Sequence, residues 1–570
     1  MKKRFTGLFL SVLIFSLVLS GCGKNSKDNT KNNTDNAQNS STEVISPTAT
    51  ITQPVETDSQ TATVVNYQYE QALNIVDDNY RNYYEIFVYS FCDSDGDGIG
   101  DMKGITSKLD YISDMGFNGI WLMPIMPSPT YHKYDTTDYY AIDPQYGTLE
   151  DFQNLLKECH NRGIKLIIDY VFNHTSAKHP WFTQAVDYLE TLKEGEEPDL
   201  KVCPYVGYYH FTTVDNGSGS YYKAGSSHYF YEAVFWDQMP DLALESKELR
   251  KEIEKNAKYW LDMGVDGFRL DAIKEYYTKQ TAKNIEVLQW FTEYVKNIKP
   301  DIYLVGECWD TSSVIASYYQ SGIGSIFNYP LAQYNGIIIS TVRKLGSHNA
   351  KSLAKSIMNL QDMYDKANPN YIDAPFLSNH DNTRISAQCV NDENQMKMAA
   401  GILLTLKGSP FVYYGEEIGM NSLGSKDEDK RLPMNWSKTD MTGITNPPPG
   451  ADVVEQKFAP LDEQQLDPLS LANYYKRALR IRNENPEIAR GEVSVIDELV
   501  TEDVCAVKKT YEGSELVIVS NINKEPCTVD LTTAGLDKLK VRGYLTVDGS
   551  EVTLTDGLLN MPLYSIVILK

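Results

Sequence analysis

From about residue 83 onward, short apolar segments alternate with amphipathic segments along the chain. Short apolar runs bounded by turn residues indicate buried strands, whereas an apolar stripe at three- to four-residue spacing indicates a helix that covers a sheet. Alternating strands and helices predict βα units around a parallel sheet. The predicted strands are 85–91, 118–125, 164–171, 266–271, 302–307, 325–329, 374–379 and 410–414. Because a TIM barrel has eight such strands, the pattern predicts an α/β fold of the (β/α)8 barrel type.

The segment from Thr148 to Asn161 illustrates the predicted linking helices. Thr148 and Asp151 have the spacing of a capping box, in which each side chain binds a main-chain N–H at the start of a helix. Apolar residues after Asp151 share one helical face, and Gly163 follows as a stop signal. The sequence therefore predicts a helix that packs on the barrel through one side.

Three departures from the alternating pattern predict further parts of the chain. Residues 175–235 are too long for an ordinary loop, and we expect a small inserted domain there after the third strand. Residues 489–570 show short alternating strands with turns, which predict a C-terminal antiparallel β-sandwich. The catalytic barrel then comprises residues 81–174 and 236–488.

The first residues have the pattern of an export signal. Basic residues precede an apolar run that ends near Leu19, which is shorter than a membrane span. The sequence Leu19-Ser20-Gly21-Cys22 resembles the bacterial lipoprotein box, in which the cysteine is lipidated and becomes the mature N-terminus. We expect residues 1–22 to be a lipoprotein signal peptide and Cys22 to carry a lipid anchor at the outer face of a bacterial cell membrane. Residues 23–80 are mostly polar and predict a disordered tether.

Charge and cysteine content limit the kinds of partner. Lysine and arginine number 53 and aspartate and glutamate 77, so the net charge is −24, which disfavours nucleic acid and anionic lipid surfaces. We expect membrane association through the lipid anchor only, and a monomer. The seven cysteines after Cys22 show no metal-binding spacing, and a bridge between Cys505 and Cys527 stays open.

Two acidic residues at the ends of predicted strands carry the strongest chemical signal. Asp271 ends an apolar segment that begins at Gly267, and Glu307 ends one that reaches Gly306. Cleavage of an acetal requires a proton on the leaving oxygen and stabilisation of a cationic sugar carbon, which two carboxyl groups in opposite protonation states supply. Arg269 lies two residues before Asp271, on the same strand face, and is placed to keep it ionised. Either carboxylate alone could equally be a solvated strand end.

The spacing of strands in a sheet fits this interpretation. A retaining glycosidase places its two carboxyl groups about 5 to 5.5 Å apart. Neighbouring strands lie about 4.8 Å apart, so side chains at the ends of adjacent strands can meet that requirement. The segment between Asp271 and Glu307 has room for a helix and a second strand. We expect retention of configuration at the anomeric carbon.

The order of these motifs resembles the α-amylase family of glycoside hydrolases, family 13, over about residues 80 to 570. The motifs that carry the resemblance are Asp169 to His174, Gly267 to Lys274, the segment around Glu307, Phe376 to Asp381, and Met239-Pro240-Asp241-Leu242. The chain resembles members between the oligo-1,6-glucosidase and neopullulanase-like groups.

The resemblance implies a role for each matching residue. Asp271 matches the nucleophile, Glu307 the general acid/base and Asp381 a third carboxylate that binds two sugar hydroxyls. The residues that match sugar contacts of the family are Tyr134, His132, His174, Arg269, Lys274 and His380. The covalent glycosyl intermediate is carried by the protein, so no organic cofactor is implied.

The segment from Asp93 to Asp101 predicts a calcium loop. Carboxylates at alternating positions around glycines can surround one hard cation. An EF-hand is excluded because Gly104 stands where that loop needs a bidentate glutamate. The resemblance to oligo-1,6-glucosidases and related amylases implies a structural Ca²⁺ bound by Asp93, Asp95, Asp97, the carbonyl of Ile99, and Asp101.

A second calcium site is implied by Asn173, which matches a usual ligand of the family. Glu275 stands where the family has a histidine shortly after the nucleophile. The chain therefore lacks, at this position, a residue that the family uses at the second calcium site.

The substrate class follows from the same resemblance. Ala272 directly after the nucleophile, with Lys274 and His132, resembles α-amylases and favours cleavage of internal α-1,4 bonds in starch or maltodextrin. An α-glucosidase or oligo-1,6-glucosidase, a neopullulanase-like enzyme and a 4-α-glucanotransferase stay open as alternatives. A starch-binding surface protein without activity is a further alternative, which the presence of Asp271, Glu307 and Asp381 together disfavours.

Overall fold

The computed structural model describes residues 78–570 except positions 216, 218, 423, 425 and 453. The predicted signal peptide 1–22, its Cys22 and the predicted tether up to residue 77 lie outside the described residues. Within the described part, the search for helices long and apolar enough to cross a membrane found none.

The strands of the described residues fall into one parallel and three antiparallel sheets. In chain order they are β1 Tyr83–Ile86, β2 Gly119–Leu122, β3 Lys165–Tyr170, β4 Phe211–Thr212, β5 Tyr221–Lys223, β6 Phe230–Glu232, β7 Gly267–Leu270, β8 Tyr303–Gly306, β9 Ser325–Ile326, β10 Phe411–Tyr413, β11 Glu492–Val495, β12 Val504–Tyr511, β13 Ser514–Asn521, β14 Cys527–Asp530, β15 Val541–Thr546, β16 Thr553–Thr555, β17 Leu558–Met561 and β18 Ser565–Leu569.

The helices of the described residues lie mainly between the strands of the parallel sheet. In chain order they are α1 Val88–Phe91, α2 Met102–Ser107, α3 Leu109–Met115, α4 Leu149–Asn161, α5 Pro180–Thr191, α6 Lys247–Met263, α7 Thr281–Ile298, α8 Ser312–Tyr319, α9 Ile337–Val342, α10 Ala350–Ala367, α11 Ile385–Gln388, α12 Glu393–Thr405, α13 Asp427–Lys430, α14 Leu461–Gln464, α15 Leu471–Glu484 and α16 Pro486–Arg490.

The parallel sheet closes into the predicted barrel. Its strand order is β10-β1-β2-β3-β7-β8-β9. The remaining position is filled by residues 374–376, where Phe327 pairs with Ala374 and Phe376 pairs with Phe411, both in parallel. Every residue of β1, β2, β7, β8 and β10 is buried, as expected for strands covered on both faces.

The predicted strands are longer than the observed ones. Strand β1 ends at Ile86, and residues 88–91 form the short helix α1, in which the Ser90 N–H binds the Phe87 carbonyl. The predicted strands 325–329 and 374–379 contribute only β9 and two isolated bridges to the barrel. The apolar runs continue past the strand ends because the loops at the rim are also buried, so hydrophobicity alone does not mark where pairing stops.

The predicted capping box is confirmed. The Thr148 hydroxyl accepts a hydrogen bond from the Asp151 N–H, and the Asp151 carboxylate accepts one from the Thr148 N–H, so helix α4 begins at Leu149. Its apolar residues face the barrel and are buried. The helix therefore holds its place through one covered face, as its periodicity indicates.

The two additions to the barrel are antiparallel. Strands β4, β6 and β5 form a small sheet after the third barrel strand, inside the segment 175–235. At the C-terminus, β11-β12-β13-β18-β15 and β14-β17-β16 form two sheets that enclose a separate cluster of buried apolar side chains. The exact limits of the predicted domains stay predictions. All the cysteines in the described residues are free thiols, so Cys505 and Cys527 do not form a bridge there.

Candidate active site

The ends of two neighbouring barrel strands bring Asp271 and Glu307 to one rim. Strands β7 and β8 are parallel and adjacent, with Leu270 opposite Gly306, and each acidic residue follows directly. The pairing continues one step beyond the strands, where the Glu307 N–H donates to the Leu270 carbonyl at 2.9 Å. Main-chain pairing in the barrel thus fixes the positions of both residues independently of their side-chain contacts.

One guanidinium connects the acidic groups of the rim. Arg269 Nη1 donates to Asp271 Oδ1 at 2.5 Å, and Nη2 donates to Glu307 Oε2 at 2.8 Å. The Arg269 side chain is 1% exposed and also donates to Asp169 Oδ1 at 2.9 Å, the residue opposite it on β3. Carboxylate oxygens bound to neighbouring nitrogens of one planar guanidinium must lie within a few ångströms of each other. The structure therefore brings Asp271 and Glu307 together as a pair.

The main chain after the nucleophile candidate supplies a further contact to Glu307. Ala272 has a φ of +46°, a left-handed conformation that is uncommon outside glycine. Its N–H donates to Glu307 Oε2 at 3.0 Å, while the Tyr329 hydroxyl donates to Oε1 at 3.4 Å. Backbone conformations of this kind concentrate at functional sites, where the surrounding structure holds them.

Burial sets the protonation tendency of Glu307. Its side chain is only 14% exposed, and burial raises the pKa of its carboxyl above the ordinary value. The charge of Arg269 opposes this rise, whereas the nearby Asp271 and Asp381 carboxylates add to it. A raised pKa is what a general acid needs near neutral pH.

Asp381 is held ionised from two sides. Its Oδ2 lies 2.9 Å from His380 Nε2, and its Oδ1 lies 2.8 Å from Arg431 Nη2. Burial by itself would raise the pKa of Asp381, but the two cations outweigh it and hold that pKa far below the ordinary range. Asp381 and Glu307 are thus driven toward opposite protonation states.

The three predicted histidines differ in charge. Burial lowers the pKa of His132 to about 3 and that of His174 to about 4, so both rings are neutral at neutral pH. His380 faces two carboxylates, whose charges outweigh its burial and raise its pKa to about 9. Among the described residues, Nε2 of the buried His174 has no hydrogen-bond partner, which leaves it available to a ligand.

Tyr134 and Lys274 take different positions. The Tyr134 hydroxyl lies 2.7 Å from His380 Nε2 and donates to Asp169 Oδ2 at 3.1 Å, so its ring is fixed beside the carboxylates. Lys274 Nζ donates to the Trp309 carbonyl at 2.9 Å and to Asp310 Oδ2 at 3.3 Å. Tyr134 therefore lies at the floor of the site, and Lys274 lies at its edge.

These residues surround one cavity of about 400 Å³. The predicted residues that line it are His132, Tyr134, His174, Asp271, Lys274, Glu307 and Asp381. Arg269 and His380 do not line the cavity, but each contacts a carboxylate that does. Arg269 binds Asp271, and His380 binds Asp381. The volume lies in the range of small-molecule binding sites.

Several residues of the site were missed by the sequence analysis. Arg431 and Phe235 line the cavity, and Arg431 contacts Asp381 although it lies on a long loop with no spacing signal. Glu85 lies on β1 and binds His380, and its signal was available, since a glutamate inside an apolar strand requires a buried partner.

The predicted calcium loop forms a carboxylate cluster away from the cavity. Ligand oxygens of Asp93, Asp95 and Asp101 lie within 4.8 Å of one another. Asp97 is not part of this cluster, and its Oδ1 accepts the Ile99 N–H at 2.7 Å. Within the described part of the chain, no lysine or arginine forms an ion pair with the three clustered carboxylates, and such a hard-oxygen set fits Ca²⁺.

Asn173 lies between His174 and Asp241. Its Nδ2 donates to Asp241 Oδ1 at 3.4 Å, and its Oδ1 is buried without a hydrogen-bond partner among the described residues. Its role as a ligand of a second calcium ion stays a prediction.

Comparison with known proteins agrees with this geometry. A family profile described as "Alpha amylase, catalytic domain" matches residues 85–491. Alpha-amylase 3 of Dictyoglomus thermophilum is 38% identical over 503 residues, covering 86% of this chain and 93% of that protein. The solved structure of Amy13B from Eubacterium rectale has a TM-score of 0.85 and 44% identity, covering 88% of this chain and 97% of its own. An oligo-1,6-glucosidase of Halalkalibacterium halodurans is 29% identical over 517 residues, covering 77% of this chain and 89% of that protein.

The barrel, the acidic pair at its rim and these similarities define an enzyme of the glycoside hydrolase class. The chain belongs to the α-amylase family, as an α-amylase-type glycoside hydrolase with relatives among both α-amylases and oligo-1,6-glucosidases. Enzymes of this family typically bind calcium and need no organic cofactor.

Replacing Arg269 with lysine tests the role of the guanidinium. An ammonium is a compact charge and cannot hold Asp271, Glu307 and Asp169 in one plane. We expect kcat to fall about 10²- to 10³-fold, the loss typical of removing one preorganised charge contact from an active site.

The matched control is Arg482→Lys, which changes another buried arginine, whose contacts are the Asn82 side chain and main-chain carbonyls away from the cavity. That variant should lower the melting temperature while the folded protein keeps its kcat. Equal kcat values for Arg269→Lys and the parent would contradict the assigned role.

Proposed function

We propose that this protein cleaves internal α-1,4-glucosidic bonds of starch or maltodextrin by double displacement with retention of configuration. The observation that carries the proposal is the simultaneous hydrogen bonding of Asp271 and Glu307 to one buried guanidinium at the floor of the cavity. Two carboxyl groups that share one guanidinium lie close enough to act on the same anomeric carbon, as a retaining mechanism requires.

The first half of the reaction forms a covalent intermediate. Glu307 donates its proton to the glycosidic oxygen while an Asp271 carboxylate oxygen attacks the anomeric carbon, and the leaving chain departs as an alcohol. Arg269 donates a hydrogen bond to Asp271 Oδ1 and orients the carboxylate for attack. Its contact with Glu307 also places the acid on the same side of the bond.

The second half returns the enzyme to its starting state. Glu307, now a carboxylate, removes a proton from water, whose oxygen attacks the anomeric carbon and displaces Asp271. Two inversions give net retention. Asp381, ionised throughout, accepts hydrogen bonds from sugar hydroxyls. Nε2 of His174, which has no hydrogen-bond partner among the described residues, is positioned for another.

Features around the cavity support an endo-acting α-amylase. Trp309 and Phe235 line the cavity and are 44% and 50% exposed, so the apolar faces of additional sugar rings can pack on them. Lys274 lies at the edge, next to the Trp309 carbonyl, where a long substrate would continue. An α-1,6-glucosidase and a glucanotransferase share the same covalent intermediate and are separated by the products.

Digestion of maltoheptaose tests the reaction and the roles together. We expect the parent enzyme to release mixed shorter maltooligosaccharides whose new reducing ends are α by NMR at early times. Asp271→Asn should abolish turnover, because an amide is a poor nucleophile. Glu307→Gln should fail on maltoheptaose yet keep measurable cleavage of a dinitrophenyl maltooligoside, whose leaving group needs no proton.

Other outcomes identify the alternatives. Products longer than maltoheptaose would favour a glucanotransferase, and turnover of isomaltotriose in place of maltoheptaose would favour a 1,6-glucosidase. Binding without turnover by the parent enzyme would favour a starch-binding surface protein. Full activity of Asp271→Asn would remove the catalytic assignment.

We propose that Asp93, Asp95 and Asp101 hold a structural Ca²⁺, with Asp97 and the Ile99 carbonyl as the further predicted ligands. The three carboxylates converge in a loop that packs against a second loop, where the Asp93 N–H binds the Gly443 carbonyl at 3.1 Å and the Asn446 N–H binds the Gly98 carbonyl at 2.7 Å. A bound cation would offset the mutual repulsion of the carboxylates and join the two loops.

Calcium titration checks this site. Adding Ca²⁺ to chelator-treated protein should raise the melting temperature, with about 2.7 kcal/mol of stabilisation when calcium is present at a hundred times its dissociation constant. Asp101→Asn should remove most of this response. Asp440→Asn, in an exposed turn, is the control and should retain it. A melting temperature independent of calcium in the parent protein would contradict the site.

We also propose that the enzyme is exported and held at the outer face of a bacterial membrane by lipid on Cys22. The apolar run followed by Leu19-Ser20-Gly21-Cys22 supports this location. Cys22→Ser should move activity from the membrane fraction to the medium or the soluble fraction. Cys527→Ser, which alters a free thiol of the C-terminal sandwich, should not. Retention of Cys22→Ser in the membrane fraction would contradict the anchor.

A further inference from the structure

A buried glutamate behind the active site has no part in the mechanism described so far. Glu85 lies on β1 and is 1% exposed, within a strand whose other residues are apolar or aromatic. Transfer of a carboxylate into such an environment is costly unless it is paired and hydrogen-bonded. Glu85 therefore needs a buried partner.

That partner is His380. Glu85 Oε1 accepts a hydrogen bond from His380 Nδ1 at 2.6 Å and another from the His380 main-chain N–H at 3.3 Å. On the opposite side of the ring, Nε2 lies 2.9 Å from Asp381 Oδ2 and 2.7 Å from the Tyr134 hydroxyl. The ring is closed off from solvent, with the His380 side chain 1% exposed.

The arrangement determines the charge of the ring. A neutral imidazole carries one N–H and one lone pair, so it can donate to only one of the two carboxylates and must point its lone pair toward the other. An imidazolium donates to both. Because each ring nitrogen faces a carboxylate oxygen at hydrogen-bond distance, the geometry fits the charged form.

We propose that Glu85 is a positioning residue that holds His380 as an imidazolium, through which Asp381 is kept ionised and aimed at the sugar hydroxyls. This inference deepens the proposed function and rests on it. Glu85 touches neither substrate nor the reacting atoms and acts only through the ring between it and Asp381.

The other groups around the ring cannot replace Glu85. Trp121 presents an apolar ring edge-on at 5.6 Å between centroids, and the Tyr134 hydroxyl is neutral. Arg431 contacts the His380 carbonyl at 3.2 Å, and its positive charge disfavours a second cation nearby. Asp169 on β3 is a further carboxylate within electrostatic range, but its own ion pair is with Arg269.

Removing the charge of Glu85 should therefore release the proton of His380. With only Asp381 left beside it, the buried ring is expected to titrate well below its native pKa of about 9. Deprotonation would leave the ring with a single N–H, so Asp381 would lose either its counter-charge or its hydrogen bond. The loss of this contact to Asp381 therefore grows as the pH rises above the lowered pKa of His380.

The test is Glu85→Gln, which keeps the shape and removes the charge. Above the new His380 pKa, kcat/KM on maltoheptaose should fall about tenfold for each further pH unit, while values at acidic pH stay near those of the parent. NMR of the histidine ¹⁵N signals should show His380 titrating at lower pH in the variant. The signal is assigned by its loss in His380→Asn.

Glu417→Gln is the matched control. Glu417 is an equally buried glutamate beyond the neighbouring strand β10, and its partners are the hydroxyls of Tyr84 and Tyr111. Its substitution should leave the pH profile and the His380 titration unchanged. A shared effect of both variants would identify a general loss of packing and overturn the proposal.

Two further readouts keep the proposal falsifiable if Glu85→Gln folds poorly. In the unaltered enzyme, His380 should titrate above pH 8, and titration below pH 6.5 would overturn the proposal. Glu85→Asp retains a carboxylate and should keep more of the alkaline activity than Glu85→Gln, whereas equal loss in both would also overturn it. Failure of the proposed function is separate, because it appears as turnover by Asp271→Asn whatever happens at His380.

Discussion

The hydrogen-bonded contact of one arginine with three carboxylates is the constraint on which this active site depends. Arg269 is buried on β7, and its guanidinium binds Asp271 and Glu307 while it pairs with Asp169 across the sheet. Removing these charges from water is costly, and only a nearly complete set of partners makes the arrangement stable. The barrel provides that set because β3, β7 and β8 are consecutive neighbours whose carboxyl ends meet at one rim. The fold thus determines the chemistry by fixing which side chains share a single cation.

Burial then separates groups of the same chemical type. Glu307 and Asp381 are both carboxyl groups of the cavity, yet burial raises the pKa of the first, while His380 and Arg431 hold the pKa of the second low. The histidines divide in the same way, since burial lowers the pKa of His174 and leaves it neutral, while the two carboxylates beside His380 raise its pKa. One cavity can therefore hold a protonated and an ionised carboxyl group close together. The burial of each group and the charges of its neighbours decide which group keeps its proton.

The barrel and the meeting of Asp271 and Glu307 at its rim could be predicted from the sequence. Strand ends in a parallel barrel converge, so the order of apolar segments and the acidic residue after each one indicated that Asp271 and Glu307 meet. Strand limits were less predictable, because the rim loops are as buried as the strands, and α1 follows directly where a longer strand was expected. Arg431 and Phe235 were missed because they reach the cavity from long insertions, whose path depends on tertiary packing. Glu85 was visible as a charge in an apolar strand, but its partner lies 295 positions away.

The central claim is that Asp271 forms a covalent bond with the sugar while Glu307 transfers the proton. Incubation with a 5-fluoro-α-maltosyl fluoride, which forms such an intermediate readily and releases it slowly, allows the adduct to be located by mass spectrometry of peptides. The account predicts one added glycosyl mass on the peptide that contains Asp271, and none in Asp271→Asn. A label on another residue, or no label together with products of inverted anomeric configuration, would contradict it.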